Sequence, residues 1–291
     1  MKFLYLILAV LVFFTGCSNN TEIREDNNFN IVTSFYPIYV FTQNIVKDIP
    51  NVTVENMSNG HDGCLHDYQL TTSDMKLIDN ADAFIINGAG LETFLEKVYT
   101  TKEELEVIDS SENVTLLLDR YSDENNEHIW LSVTNAILQV KSIGNQLSEL
   151  DSEHADLYLK NTDEYVKRLE SLRNELRESL YNQGDVKIVT SHDAFPYLAE
   201  DFGFEIVSVI EKEEGASPTS KEMQEVIDII KTEEVKAIFI EEDTSDKIAN
   251  TIANESGAKV FKLDTITSGD GSLTDYENRM KDNIKVIKES L

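Results

Sequence analysis

Residues 152–181 contain no Gly and no Pro, and within them Tyr165, Leu169, Leu172, Leu176 and Leu180 recur at steps of 4, 3, 4 and 4. That spacing draws one apolar stripe down a helix. Thirty helical residues extend about 45 Å at 1.5 Å each, far enough to lie along two globular bodies. Asp151 is the expected N-cap and Gly184 the expected stop. On either side, short β-branched runs alternate with helical stretches, the pattern of parallel βαβ units. The expected strands are 30–35, 52–57, 83–87, 105–109 and 114–118 before the helix, and 186–190, 205–209, 235–240 and 259–263 after it. The expected architecture is α/β: two lobes, 29–150 and 184–291, each with a mainly parallel sheet flanked by helices, joined by one long rigid helix over 151–183. A length of 291 residues suits two such bodies.

The N-terminus reads as targeting rather than fold. Lys2 precedes twelve apolar residues, 3–14, too few to span about 30 Å of hydrocarbon but sufficient for a signal-peptide core. Phe14-Thr15-Gly16-Cys17 resembles a bacterial lipobox, which makes 1–16 a cleaved signal peptide and Cys17 the lipidated N-terminus. Several acyl chains there would hold the chain stably on a membrane, since each buried CH₂ contributes ~0.8 kcal/mol. The polar segment 17–28 is then a tether.

With 25 Lys+Arg against 54 Asp+Glu, the formal charge is −29. Nucleic acid is excluded as a partner, because phosphates are bound by Lys and Arg patches that the chain lacks. The same field concentrates cations. Two cysteines cannot make a disulfide scaffold or a four-Cys zinc module, and with Cys17 lipidated Cys64 is a small, unpaired packed residue. The chemistry lies with the five histidines. His192 directly follows the expected strand 186–190, His66 lies shortly beyond 52–57, and His128 follows a strand and an acidic loop; Asp264 directly follows 259–263. Residues just past the carboxyl ends of parallel strands line the ligand crevice. Three imidazoles and a carboxylate, two from each lobe, match a four-coordinate Zn²⁺ site. Asp67, Asp193, Glu241 and Glu242 are candidates to orient those ligands from behind. His61 is expected in a loop, His154 at the surface and Trp130 in the core.

The motifs around these residues resemble those of the zinc and manganese substrate-binding lipoproteins of ABC importers, the ZnuA-like cluster. CLHDYQLTTSD (64–74) is similar to the family's DPHDYEPTPSD, EHIWLS (127–132) to PHIWLS, SHDAFPYLA (191–199) to FHDAFxYFA, and Leu263-Asp264 stands where the family has LDP. The resemblance runs from Ile31 through ADAFIINGAG (81–90) and the Ser217-Pro218-Thr219 turn. It implies metal-ligand roles for His66, His128, His192 and Asp264, with a water as the alternative in the fourth place. His at the third position is typical of zinc binders and Glu of manganese binders, so Zn²⁺ is the expected cargo and Mn²⁺ the lesser one. The resemblance further implies a monomeric, extracytoplasmic receptor that delivers metal to a permease with a separate ATPase; the chain carries no phosphate-binding Gly-rich loop of its own. Leu65, Leu70, Thr72, Glu127, Val133 and Thr265 replace prolines common in the family, and the acidic loop 121–127 lacks the His-rich insertion of many zinc members. Two other classes are compatible with three His ligands: an exported zinc hydrolase, although no HExxH helix is present, and a surface adhesin stabilised by metal.

Overall fold

A computed structural model describes residues 28–59, 68–102, 104–181, 185–212, 216–242 and 244–291. The signal segment, Cys17, His61, Cys64, His66, Asp67 and the expected helix stop Gly184 lie outside the described residues.

Two four-stranded, wholly parallel sheets form the frame. The first, in order β2-β1-β3-β4, comprises β1 (Phe29–Thr33), β2 (Val52–Asn56), β3 (Ala83–Ile86) and β4 (Glu106–Asp109). The second, β6-β5-β7-β8, comprises β5 (Val186–Thr190), β6 (Phe204–Val209), β7 (Ala237–Glu241) and β8 (Lys259–Leu263). Central strands are covered on both faces, so AFII of β3 and AIFIE of β7 are buried throughout, whereas edge strand β2 alternates half-buried and exposed residues. In both sheets the crossovers leave the first strand in opposite directions. The switch points therefore lie at the carboxyl ends of β1/β3 and β5/β7, where such sheets bind ligands.

Helices pack over the sheets: α1 (Tyr36–Val46), α2 (Thr72–Asn80) and α3 (Leu95–Thr101), then α4 (Val133–Leu150) and α5 (Ala155–Ser179), then α6 (Pro196–Phe202), α7 (Ser220–Thr232), α8 (Lys247–Ser256) and α9 (Asp275–Ser290). The predicted long helix is α5, and its whole stripe, Tyr165 to Leu180, is buried. Burying each such leucine contributes roughly 1.5–3 kcal/mol, which holds a helix whose outer face is charged. The helix starts later than the sequence suggested. Asp151 closes α4, and its Oδ2 accepts from the Tyr158 hydroxyl at 2.8 Å and pairs with His154 Nδ1 at 2.7 Å. The four residues 151–154 are the turn of an α4–α5 hairpin. Gly144 lets the two helices close: a Cβ there would sit 2.0 Å from Thr162 Oγ1.

Along its length α5 is tied to both halves. Asn161 donates to the carbonyls of Ile45 and Lys47 beyond the first sheet (3.0 and 2.8 Å), Arg168 pairs with Glu277 of α9, and Arg177 with Asp201 of α6 (3.2 Å). One hydrophobic core runs through the molecule, from Ile31 and Ile85 of the first sheet through Leu169 and Leu172 to Ile188, Phe239 and Leu263 of the second. The expected strand 114–118 is absent. Val114, Leu116 and Leu117 instead pack around Tyr197 of α6, and Leu118 makes one antiparallel bridge to Asn125. The apolar residues that suggested a strand serve this contact with the other half.

Candidate metal centre

The switch point of the second sheet places His192 two residues past β5 and Glu241 at the end of β7. His192 Nδ1 pairs with Glu241 Oε1, and both side chains are buried. A carboxylate accepts only, so Nδ1 carries the proton and Nε2 presents its lone pair.

His128 reaches the same point from the first half. It is 3% exposed and sits just before the 3₁₀ turn Ile129–Leu131. Its position is over-determined. Asn87, buried at the end of β3, donates to the Glu127 carbonyl (3.0 Å) and accepts from Gln139 (3.0 Å). Asn126 donates to the Asp193 carbonyl (2.6 Å), which turns its Oδ1 toward the His128 backbone N–H (3.2 Å) and ring Nδ1 (3.3 Å). His128 Nδ1 is thereby assigned as the donor. Trp130 packs against the His128 ring at 5.3 Å between centroids and donates Nε1 to the Thr265 carbonyl at 2.8 Å, which links His128 to the Asp264 loop.

The outcome is two imidazoles with Nε2 atoms 3.3 Å apart. Both rear nitrogens face acceptors, so in the neutral form both Nε2 atoms present lone pairs toward one point, where a cation can accept them. With metal–nitrogen bonds of about 2.0–2.1 Å, the edge of a tetrahedron is ~3.3–3.4 Å, the observed separation.

The remaining sequence candidates divide. Asp264 follows β8 as expected, but both carboxylate oxygens are engaged: Oδ1 accepts from the Ile266 N–H (2.7 Å) and Oδ2 from Arg279 Nη1 (2.6 Å). Among the described residues, no group of three or more His, Cys, Asp or Glu side chains gathers as an ion site. His66 lies outside them. Of the orienting candidates, Glu241 holds His192, whereas Asp193 accepts from the Arg120 N–H (3.1 Å) and so fastens the acidic loop. Burial raises the Asp193 carboxyl above its ordinary range, against the lowering effect of Arg120. Glu242 is exposed. Tyr68 and Asp74 of the first motif are structural: Thr71 and Asp74 form a reciprocal cap on α2, with the Tyr68 hydroxyl donating to Asp74 at 3.0 Å.

Beside His192 opens a cavity of about 230 Å³, whose walls include Glu211, Glu241, Thr244 and Ser245. Burial raises Glu211, with His192 opposing the shift and Glu241 adding to it. Two buried groups escaped sequence reasoning. Asp201 of α6 accepts from Ser132 Oγ (2.6 Å) and the Thr134 N–H (3.1 Å), capping α4 from the other half. Glu92 accepts from the Asn87 and Gly88 N–H groups (2.8 and 3.1 Å), fixing the turn beneath the Glu127 contact; that turn needs glycine, because Gly88 has φ +79° and a Cβ would lie 1.9 Å from Asp109 Oδ1. Neither carries a sequence signal, since each acts through partners distant in the chain.

Comparison with known proteins gives a family match over residues 31–290 to "Zinc-uptake complex component A periplasmic", ZnuA. The zinc-binding lipoprotein AdcA of Streptococcus pneumoniae is 29% identical over 311 residues, covering 100% of this chain and 61% of AdcA, so the chain spans about three-fifths of that relative. The high-affinity zinc uptake system protein ZnuA of Bacillus subtilis is 28% identical, covering 99% of this chain and 97% of its own length. Among solved structures, the SBP FpvC of Pseudomonas aeruginosa in complex with Ni²⁺ superposes with a TM-score of 0.81 at 31% identity, covering 90% of this chain and 96% of FpvC.

Proposed function

This chain belongs to the ZnuA family of zinc-uptake components, and from that premise we propose that it captures a divalent transition metal, Zn²⁺ first, between its two halves and hands it to an ABC permease driven by a separate ATPase. The observation that carries this reading is the 3.3 Å spacing of the His128 and His192 Nε2 atoms, each ring held from behind. Imidazole donors suit zinc better than manganese, which favours oxygen. His66 completes the set from the sequence motif, and Asp264 supplies a fourth ligand on leaving Arg279, with water as the alternative.

The rest of the reading follows from charge and the N-terminus. A net charge of −29 enriches cations around the molecule. On this reading 1–16 is a signal segment and Cys17 carries the lipid that anchors the receptor to the outer face of the cell membrane, where it acts as a monomer and not as an enzyme. No described helix is long and apolar enough to cross a membrane.

Native mass spectrometry of the chain from Cys17 onward, offered equal Zn²⁺ and Mn²⁺, tests the proposal. One zinc per chain is expected, lost in His128→Ala and His192→Ala while both variants stay folded. Zinc retained by the double variant overturns the site. Ester or peptide turnover that disappears with His192→Ala would establish the hydrolase reading in its place, and unfolding on metal removal would favour a structural metal.

A further inference from the structure

Asp264 and Arg279 form a shielded pair between the end of β8 and α9. Asp264 directly follows β8, and its neighbour Thr265 is bonded to Trp130, which in turn packs on His128. Yet its carboxylate faces α9. Arg279 Nη1 donates to Oδ2 at 2.6 Å while its Nε donates to Asp275 Oδ2 at 2.9 Å, and Asp275 also accepts from the Tyr36 hydroxyl at 2.6 Å. The guanidinium is thus braced by a second carboxylate, itself fixed by Tyr36, and all three charged side chains are largely shielded from solvent. The Asp264 backbone is pinned too, by reciprocal bonds with Asn283 (2.8 and 2.7 Å). Oδ1 is held by the Ile266 N–H at 2.7 Å, so Oδ2, on Arg279, is the oxygen whose partner can be exchanged.

We propose that Arg279 is a specificity-determining residue of the metal site: by holding Asp264 Oδ2, it withholds that carboxylate oxygen from the ion and leaves the ion to imidazoles. This rests on the receptor reading above and deepens it. A guanidinium and a divalent ion compete for the same carboxylate oxygen, and the guanidinium is covalently present at all times. An ion satisfied by nitrogen donors, such as Zn²⁺, binds with little need to win that contest. Mn²⁺, which ranks lowest for nitrogen sites and relies on carboxylate and water oxygens, has to displace Arg279 first. Removing Arg279 also changes the net charge felt by every cation, so the discriminating quantity is the ratio of affinities.

The experiment is a chelator-competition titration of Zn²⁺ and Mn²⁺ against the full mature chain. Arg279→Met keeps the length of the side chain and removes its charge and donors. It is expected to lower the preference for zinc over manganese at least tenfold, chiefly by tightening manganese. Introduced where Asp264→Asn is already present, the same change is expected to move the ratio less than twofold, because no carboxylate remains to be released. An unchanged ratio in Arg279→Met, or an equal shift in both backgrounds, overturns the assignment. Should Arg279→Met not fold, as judged by circular dichroism, Arg279→Lys replaces it; a single ammonium nitrogen cannot reproduce the separate Nε and Nη1 positions that hold Asp275 and Asp264, so the ratio again falls, at least threefold, and a wild-type ratio refutes the proposal. His192→Ala is measured alongside: zinc retained there means the receptor reading has failed, whereas zinc lost there with an unmoved ratio in the Arg279 variants condemns the Arg279 assignment alone.

Discussion

Glu92 should make the folded chain less stable as pH rises through the neutral range. Burial pushes its carboxyl from an ordinary 4.5 up to about 7, even though the Asn87 and Gly88 N–H groups favour the charged form. Between those two values the unfolded chain releases the proton and the folded chain keeps it. The unfolded state then binds fewer protons, so unfolding becomes easier as pH increases. The full penalty is about 3 kcal/mol at 1.36 kcal/mol per pH unit, most of it developing between pH 5 and pH 8. Urea unfolding of metal-free protein measures it. With an m-value of ~3 kcal/mol/M for a chain of this size, the wild-type midpoint falls relative to that of Glu92→Gln by about 0.8 M across this interval. Comparing the two proteins isolates Glu92 from Asp193 and Glu211, whose raised carboxyls act in the same direction. Midpoints that move in parallel with pH would refute the reasoning. The consequence would reach the site, since Glu92 holds the turn that carries Asn87 and hence the backbone before His128.

Two further predictions concern the site and the frame. Glu241→Ala leaves the buried Nδ1–H of His192 without its carboxylate, and zinc affinity should fall 10–100-fold in the same chelator titration; a change under twofold would deny Glu241 an orienting role. Gly144→Ala drives a methyl group into Thr162 at the α4–α5 crossing and should cost about 1–3 kcal/mol in denaturant unfolding, partly recovered by combining it with Thr162→Ala, which removes both Oγ1 and Cγ2 from the clash; a single variant as stable as wild type would show the helices can part freely.

What could be read beforehand was whatever repeats locally. The stripe from Tyr165 to Leu180 has a 3.6-residue period, and β3 and β7 are unbroken apolar runs, so the long helix and the α/β layering were legible. His192 could be placed because it stands two residues past β5, whereas His128 was expected after a strand at 114–118 that does not form, and it reaches the same point through the contacts of Asn87 and Asn126. Segment 114–118 misled because Val114, Leu116 and Leu117 satisfy strand propensity while their burial partner is Tyr197, some eighty residues on. Asp264 illustrates the same limit. Its place after β8 could be anticipated, but its attachment to Arg279 depends on which face of α9 returns against the sheet. Asp201 and Glu92 are alike in this respect, because a cap or a turn completed by a distant carboxylate leaves no pattern along the chain.

The continuous interior threading α5 between the two sheets has a practical corollary for anyone dissecting the molecule. Severing the polypeptide in the 151–154 turn would give two fragments, each exposing a broad oily surface that only its counterpart can cover. Neither should be soluble by itself, and mixed together they should reconstitute one particle. Dyes placed on the two pieces would consequently report reassembly, while ion capture would leave their spacing almost untouched.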